Sequence, residues 1–202
     1  MCLPDCGWAD SVGAFLTDAG PGAQLYQFFV QPDPLQSGCQ SWGTFGSFVA
    51  DEKLWLSGYT AEYFAGQLLN LDWVQHGTGM HELYPAAADL EDEAHHSLIT
   101  AYAVKRPDGR WSLLIINKDP SNARQAFIAF EEGGRPSLRH FTGAVKTVTF
   151  GAAEYVGHNS GATSHADPDG PPKRTEAEWI PGEKVLLPRA SITVLTGKLA
   201  GE

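Results

Sequence analysis

The sequence predicts a mainly β chain in which an antiparallel β-sandwich follows a small α/β segment. Three observations predict it. The stretch after residue 77 breaks into short apolar runs separated by turn residues, the pattern of a sandwich. Residues 1–76 instead place two helical periodicities around an aromatic strand, an α/β order. Composition agrees with both, since 22 Gly and 13 Pro in 202 residues demand many turns, while 43% hydrophobic and 19% charged residues describe a globular chain. The expected division is therefore 1–76 and 77–202.

In the first region, Ala9–Leu16 is apolar-periodic with Asp10 near its start and Gly20 beyond its end, which predicts a helix. Gln24–Val30 is aromatic and bounded by Gly22 and Pro32, which predicts a buried strand. A turn-rich stretch, Gln31 to Gly46, follows. In Ser57–Val74, Tyr63, Phe64, Gln67, Leu68 and Leu71 recur at one, three and four residues, with Tyr59 one turn earlier, so a second helix is expected.

In the second region, His96–Val104 alternates, with Leu98, Thr100, Tyr102 and Val104 on one face. Trp111–Asn117 is nearly all apolar, as in a strand covered on both sides. Between them Arg106-Pro107-Asp108-Gly109 is a turn by mechanism, because Pro fixes φ and Gly accepts positive φ. Further strands are expected at Gln125–Phe130, Lys146–Val156, Lys184–Leu187 and Ser191–Thr196. Gly157–Pro172 has almost no large apolar side chains and reads as a long loop.

Charge and motifs exclude several functions. A net charge of −10 with only 14 Lys and Arg argues against nucleic acid. No apolar run is long enough to span a bilayer, so no membrane partner is expected. The start, Met1 to Cys6, has neither the basic nor the apolar part of a signal peptide, so a cytosolic chain is expected, or a secreted one if a segment precedes it. Cys2, Cys6 and Cys39 cannot all pair and read as ordinary thiols. His81-Glu82 lacks the second histidine of a zinc protease, since Pro85 stands there, and adjacent His95 and His96 would point to opposite strand faces. No metal and no cofactor are expected.

One set of phrases goes further. Tyr102-Ala103-Val104, Arg106-Pro107-Asp108-Gly109, Trp111-Ser112-Leu113-Leu114 and Asn117-Lys118-Asp119 are followed, near the end, by Leu187-Pro188-Arg189-Ala190-Ser191-Ile192-Thr193-Val194-Leu195. Together they resemble the C-terminal β-sandwich appended to TIM-barrel glycoside hydrolases of the β-xylosidase, iduronidase and arabinofuranosidase kind. The resemblance implies that the first region is the end of such a barrel: Ala9–Leu16 its seventh helix, Gln24–Val30 its eighth strand, Ser57–Val74 its closing helix. It also implies that the acid/base and nucleophile, borne on the fourth and seventh strands, precede residue 1. A barrel takes about 250 residues, so no catalytic residue is assigned within this chain.

The acids of the first region are Asp5, Asp10, Asp18, Asp33, Asp51, Glu52, Glu62 and Asp72. Glu62 reads as a solvated helix residue and Asp51-Glu52-Lys53 as a solvated run. Asp33 directly follows the predicted strand, and Trp42 lies in a glycine-bearing loop beyond it. Aromatic rings on such loops form platforms for sugar faces. Trp42, Gln31 and Asp33 are therefore the candidate substrate-binding residues. The expected partner is carbohydrate, and an isolated strand edge at Gln24–Val30 predicts oligomers or association with the remaining barrel. The alternatives are a standalone carbohydrate-binding sandwich using Trp111, Trp179 or the 157–172 loop, with Trp179 expected exposed and Trp111 in the core, and a purely structural buttress.

Overall fold

A computed structural model describes residues 4–18, 30–31, 47–50, 53, 55–131, 138–154, 157–158, 165–166 and 170–201. Its elements run α1 (Pro4–Asp18), β1 (Val30–Gln31), β2 (Phe48–Ala50), β3 (Leu56–Tyr59), α2 (Ala61–Gln67) with a π-helical continuation Leu68–Trp73, and β4 (Glu82–Tyr84). They continue through β5 (Ile99–Lys105), β6 (Trp111–Asn117), β7 (Arg124–Phe127), β8 (Phe130–Glu131), β9 (Leu138–Arg139), β10 (Phe141–Phe150) and β11 (Gly157–His158). The last four are β12 (His165–Ala166), β13 (Lys173–Glu178), β14 (Lys184–Leu187) and β15 (Ser191–Leu199). The chain is mainly β, and its large sheet is antiparallel throughout, in the order β13-β10-β15-β6-β5-β4.

The strand period of two explains how this sheet is covered on both faces. On β6, Leu114 and Ile116 join a cluster with Val104, Val148, Phe150, Ile192 and Val194, and with Cys6, Ala9, Phe64, Leu68 and Trp73 of the helices. Leu113 and Ile115 point the other way, into a cluster with Phe141, Val145, Leu187, Leu195 and Leu199. The antiparallel pairs β7–β14 and β8–β9 supply the cover there, through Ala126, Val185, Leu187 and Phe130. Every residue of β6 is buried, as its apolar run predicts. Each large side chain so enclosed contributes roughly 1.5–3 kcal/mol.

The helices are stapled to this sheet by polar contacts as well. Gly13 is buried against the Tyr102 ring so closely that a Cβ there would collide with it. Thr100 Oγ1 and Tyr102 Oη donate to Asp10 Oδ1 at 2.6 and 2.7 Å, and Lys118 Nζ reaches Asp10 Oδ2 at 3.3 Å. The apolar positions of α1 thus face a strand that offers matching donors.

Several expectations need correction. The second helix does not begin at Ser57: Leu56–Tyr59 is a strand, and the helix starts at Ala61, after Thr60 in extended conformation. Local pairing with β2 overrides the helical spacing there. The strand expected from His96 begins at Ile99, because His95 adopts a φ of 63° and His96 is tied back to Asp92. The strand expected at Lys146–Val156 is Phe141–Phe150, turning at Gly151. Lys173–Glu178, a charged stretch with no apolar alternation, is an edge strand on β10, exposed to some degree at every residue. Charge at a sheet edge discourages further pairing. The turn at Arg106–Gly109 forms as expected, with Gly109 at φ 76° and its N–H donating to Arg106 O at 2.9 Å. Of Gln24–Val30, only Val30 lies within the described residues.

Candidate functional site

The segment expected to face sugar begins where β1 ends. β1 pairs in parallel with β2, Val30 level with Phe48 and Gln31 level with Val49. Parallel pairing puts the exit of β1 at the same end as the turn joining β2 to β3. Gln31 is the last residue of β1, while Asp33 and Trp42 lie outside the described residues.

β3 carries an extra residue, since Val49 pairs with Gly58 but Ala50 pairs with Leu56. This bulge at Ser57 puts Leu56 and Tyr59, three apart in sequence, opposite residues two apart on β2. Bulges re-aim side chains in this way at sheet margins. The Tyr59 ring stacks on Tyr63 of α2 at 4.2 Å, and both lie near Phe48, at 6.0 and 5.5 Å. Phe64 then meets Phe150 of the large sheet at 5.5 Å. An aromatic chain therefore fixes the β2–β3 hairpin to the core. Trp55, at the head of β3, is 72% exposed, and Leu56 and Tyr59 are 52% and 41% exposed. Sequence reasoning passed over Trp55, because it sits in a short charged stretch between two stronger patterns.

Two carboxylates of the helices, Asp72 and Asp10, have structural partners. Asp72, on the π-helical segment and 3% exposed, accepts from Lys146 Nζ at 2.8 Å and from Arg174 Nη1 and Nη2 at 2.6 and 2.9 Å. Burial pushes its carboxyl up, but the Arg174 and Lys146 hydrogen bonds and charges outweigh that and hold it below the usual range. Its backbone carbonyl accepts from Arg106 Nη1 at 3.2 Å, Thr196 Oγ1 at 3.4 Å and Ser112 Oγ at 3.5 Å. Lys146, Thr196 and Ser112 are level across β10, β15 and β6, so Asp72 lands on a polar row within an apolar face. Asp10 is engaged as above, and burial together with Asp10 pushes the Tyr102 hydroxyl far above its ordinary range. Glu62 corrects an expectation. It lies on the first turn of α2 and is 3% exposed rather than solvated.

Asp119 belongs to the turn after β6. The backbone N–H groups of Ser121 and Asn122 donate to its Oδ1, and Arg124 pairs with its Oδ2. Those bonds, the Ser121 N–H first, hold its carboxyl well below the usual range. Beside it, the fully buried Asn117 donates from Nδ2 to Pro188 O at 2.8 Å, Asn122 O at 3.1 Å and Leu187 O at 3.2 Å. Ala190 N in turn donates to Asp119 O at 2.8 Å.

The histidines and tryptophans sort as follows. His81 Nε2 accepts from Gln75 N at 2.8 Å, and His95 and His96 lie within 3.1 Å of Glu91 and Asp92, on an exposed turn rather than a strand. Among the described residues no three His, Cys, Asp or Glu side chains converge as a metal set would. Trp111 is buried, as expected. Trp179, expected to be exposed, is half-buried, its ring edge-on to Phe141 at 5.4 Å within the second cluster. Its backbone N–H donates to Gly143 O at 2.9 Å, just past the end of β13. No helix among the described residues is long and apolar enough to cross a membrane.

No protein-family model matches the chain, and no curated protein matches it. Solved structures do. The GH51 arabinofuranosidase from Xanthomonas axonopodis pv. citri is 16% identical over 76% of this chain and 29% of its own, with a TM-score of 0.44. The GH51 alpha-L-arabinofuranosidase from Thermotoga petrophila RKU-1 is 11% identical over 77% and 32%, also at 0.44. A GH30 endoxylanase from Clostridium papyrosolvens C71 is 16% identical over 69% and 28%, at 0.39. The chain thus spans less than a third of the length of these glycoside hydrolases.

Proposed function

We propose that this chain is the C-terminal part of a carbohydrate-active glycoside hydrolase, acting on plant or bacterial polysaccharide glycosides. Residues 1–76 would be the last βα unit of a TIM barrel and residues 77–202 its β-sandwich. The catalytic carboxylate pair would lie outside this chain, so the chain alone binds carbohydrate but does not cleave it.

The observation that carries this reading is the junction at Asn117. Two of the phrases that carry the resemblance, Asn117-Lys118-Asp119 and the one beginning Leu187-Pro188, lie about seventy residues apart, and one buried amide joins them, through Leu187 O and Pro188 O. The phrases therefore meet in the fold, which supports reading them as one unit. Retaining hydrolysis needs two carboxyl groups about 5–5.5 Å apart with a free face toward substrate. Asp10 and Asp72 are instead committed to Lys118 and to Lys146 with Arg174. That commitment also favours a second reading, a buttress that binds nothing.

Glycan-array binding set beside hydrolysis of aryl xylosides and arabinofuranosides by the purified chain tests both. Binding without turnover is expected. Turnover that one carboxylate substitution within the chain abolishes would overturn the proposal, and an empty array would leave the buttress.

A further inference from the structure

We infer that the outward face of the β7–β14 strand pair is a binding site for a neutral oligosaccharide, with Phe127 as its platform. This deepens the carbohydrate reading and rests on it. β7 and β14 run antiparallel, Lys184 level with Phe127 and Leu186 level with Gln125. The period of two sends Ala126, Val185 and Leu187 into the second core cluster, so Gln125, Phe127, Lys184 and Leu186 point away from it. Phe127 is 49% and Leu186 60% exposed, and Gln125 and Lys184 are exposed beside them. The helices pack on the opposite face of the large sheet, so this surface faces away from them. Two apolar side chains on one diagonal and two polar ones on the other form a patch about 5 Å across the pair and about 7 Å along it. By contrast, the exposed positions of β13 carry only Lys, Arg, Thr, Glu and Ala.

The Phe127 ring is held in orientation by His140, which meets it at 5.4 Å and 68°. His140 is itself fixed, because its Nδ1 donates to Ile128 O at 3.1 Å, which leaves Nε2 of the neutral ring as an acceptor. A pyranose or furanose presents an apolar C–H face edged by hydroxyl groups. The Phe127 ring, flanked by Leu186, suits the first, and the Gln125 amide and Lys184 ammonium supply donors and an acceptor for the second. Among the described residues neither of those two side chains has a hydrogen bond or ion pair within the chain, so both are available. A net charge of −10 disfavours an anionic glycan. Four side chains are too few for a protein interface, which takes about twenty residues a side.

The test uses the full chain. Xylotetraose and arabinotriose are titrated calorimetrically into wild type, Phe127→Ala, Phe127→Tyr and Gln125→Ala, with melting temperatures recorded in parallel. Phe127→Ala should weaken binding about 5- to 10-fold and Gln125→Ala about 3- to 5-fold. Phe127→Tyr, which keeps the ring and its contact with His140, should bind within twofold of wild type, and Gln125→Ala should melt as wild type does. Wild type that binds while Phe127→Ala and Gln125→Ala both stay within twofold of it overturns the inference and leaves the carbohydrate reading standing. A loss confined to Phe127→Ala and accompanied by a lower melting temperature also overturns it, since the ring would then be structural. Wild type that binds neither sugar up to about 20 mM overturns the inference and the carbohydrate reading together.

Discussion

Asp72→Asn should destabilise the chain by about 2–3 kcal/mol, and the number follows from what the carboxylate holds. It takes three charge-assisted hydrogen bonds from Lys146 and Arg174, at 2.6–2.9 Å, while its side chain is 2% exposed. Such bonds contribute roughly 1.5–3 kcal/mol each, but burying the carboxylate costs several kcal/mol in the other direction. Removing one partner of a buried pair costs about 3–5 kcal/mol because the other charge is stranded. Here Lys146 and Arg174 are each 41% exposed and recover water, which brings the loss to the lower figure. The backbone carbonyl of residue 72 keeps its bonds from Arg106, Ser112 and Thr196, so the π-helical segment should stay docked. In a chain of this size the change corresponds to a fall of about 4–12 °C in melting temperature. Urea unfolding followed by circular dichroism at pH 7 measures it, with Glu178→Gln on the exposed edge strand as control. The carboxyl is held below its ordinary value, so its stabilisation is complete above the usual carboxylate range and is lost as pH falls through the lowered value. Wild type and variant should therefore converge below about pH 4. A loss under about 0.5 kcal/mol at pH 7, or a difference that grows on acidification, would refute the reasoning.

Other outcomes follow from single residues. Asn117→Ala should cost about 3 kcal/mol by orphaning the carbonyls of Leu187 and Pro188, read as a lower urea midpoint with unchanged slope. Gly13→Ala should destabilise by about 1–3 kcal/mol despite the better helix propensity of alanine, because its methyl meets Tyr102; a gain in melting temperature would contradict the packing of α1 on β5. Gly170→Ala should cost a similar amount, since the residue has a φ of 72° and a Cβ would meet Phe64. Light scattering should show association that rises with concentration, through β1, which among the described residues has a paired strand on one side only. A monodisperse monomer would count against the barrel-end reading.

The sandwich was legible in the sequence because its signals are local. Trp111–Asn117 carries its two-sided burial in every residue, and the Pro-Asp-Gly turn before it follows from backbone chemistry alone. The Lys184–Leu187 strand has the bounds expected of it. What escaped depends on partners distant in sequence. Leu56–Tyr59 has helical spacing but pairs with Phe48–Ala50, and Lys173–Glu178 has no apolar face yet pairs with β10. Glu62 and Trp179 were misplaced for the same reason, since burial is a property of the assembled core. The Asp72 clamp had one faint trace, Ser112 within an apolar strand, whose role becomes visible only with Thr196 and Lys146 beside it. Of the candidate sugar-facing residues, Gln31 falls at the end of β1, and Asp33 and Trp42 lie outside the described residues.

The central claim is that these residues complete a glycoside hydrolase whose catalytic carboxylates lie elsewhere. Sequencing the genomic DNA immediately upstream of the Met1 codon tests it most directly. The account predicts an in-frame coding region for the earlier barrel strands, with a glutamate at the fourth and another at the seventh. A stop codon and promoter directly before Met1, with no such barrel encoded alongside, would contradict it.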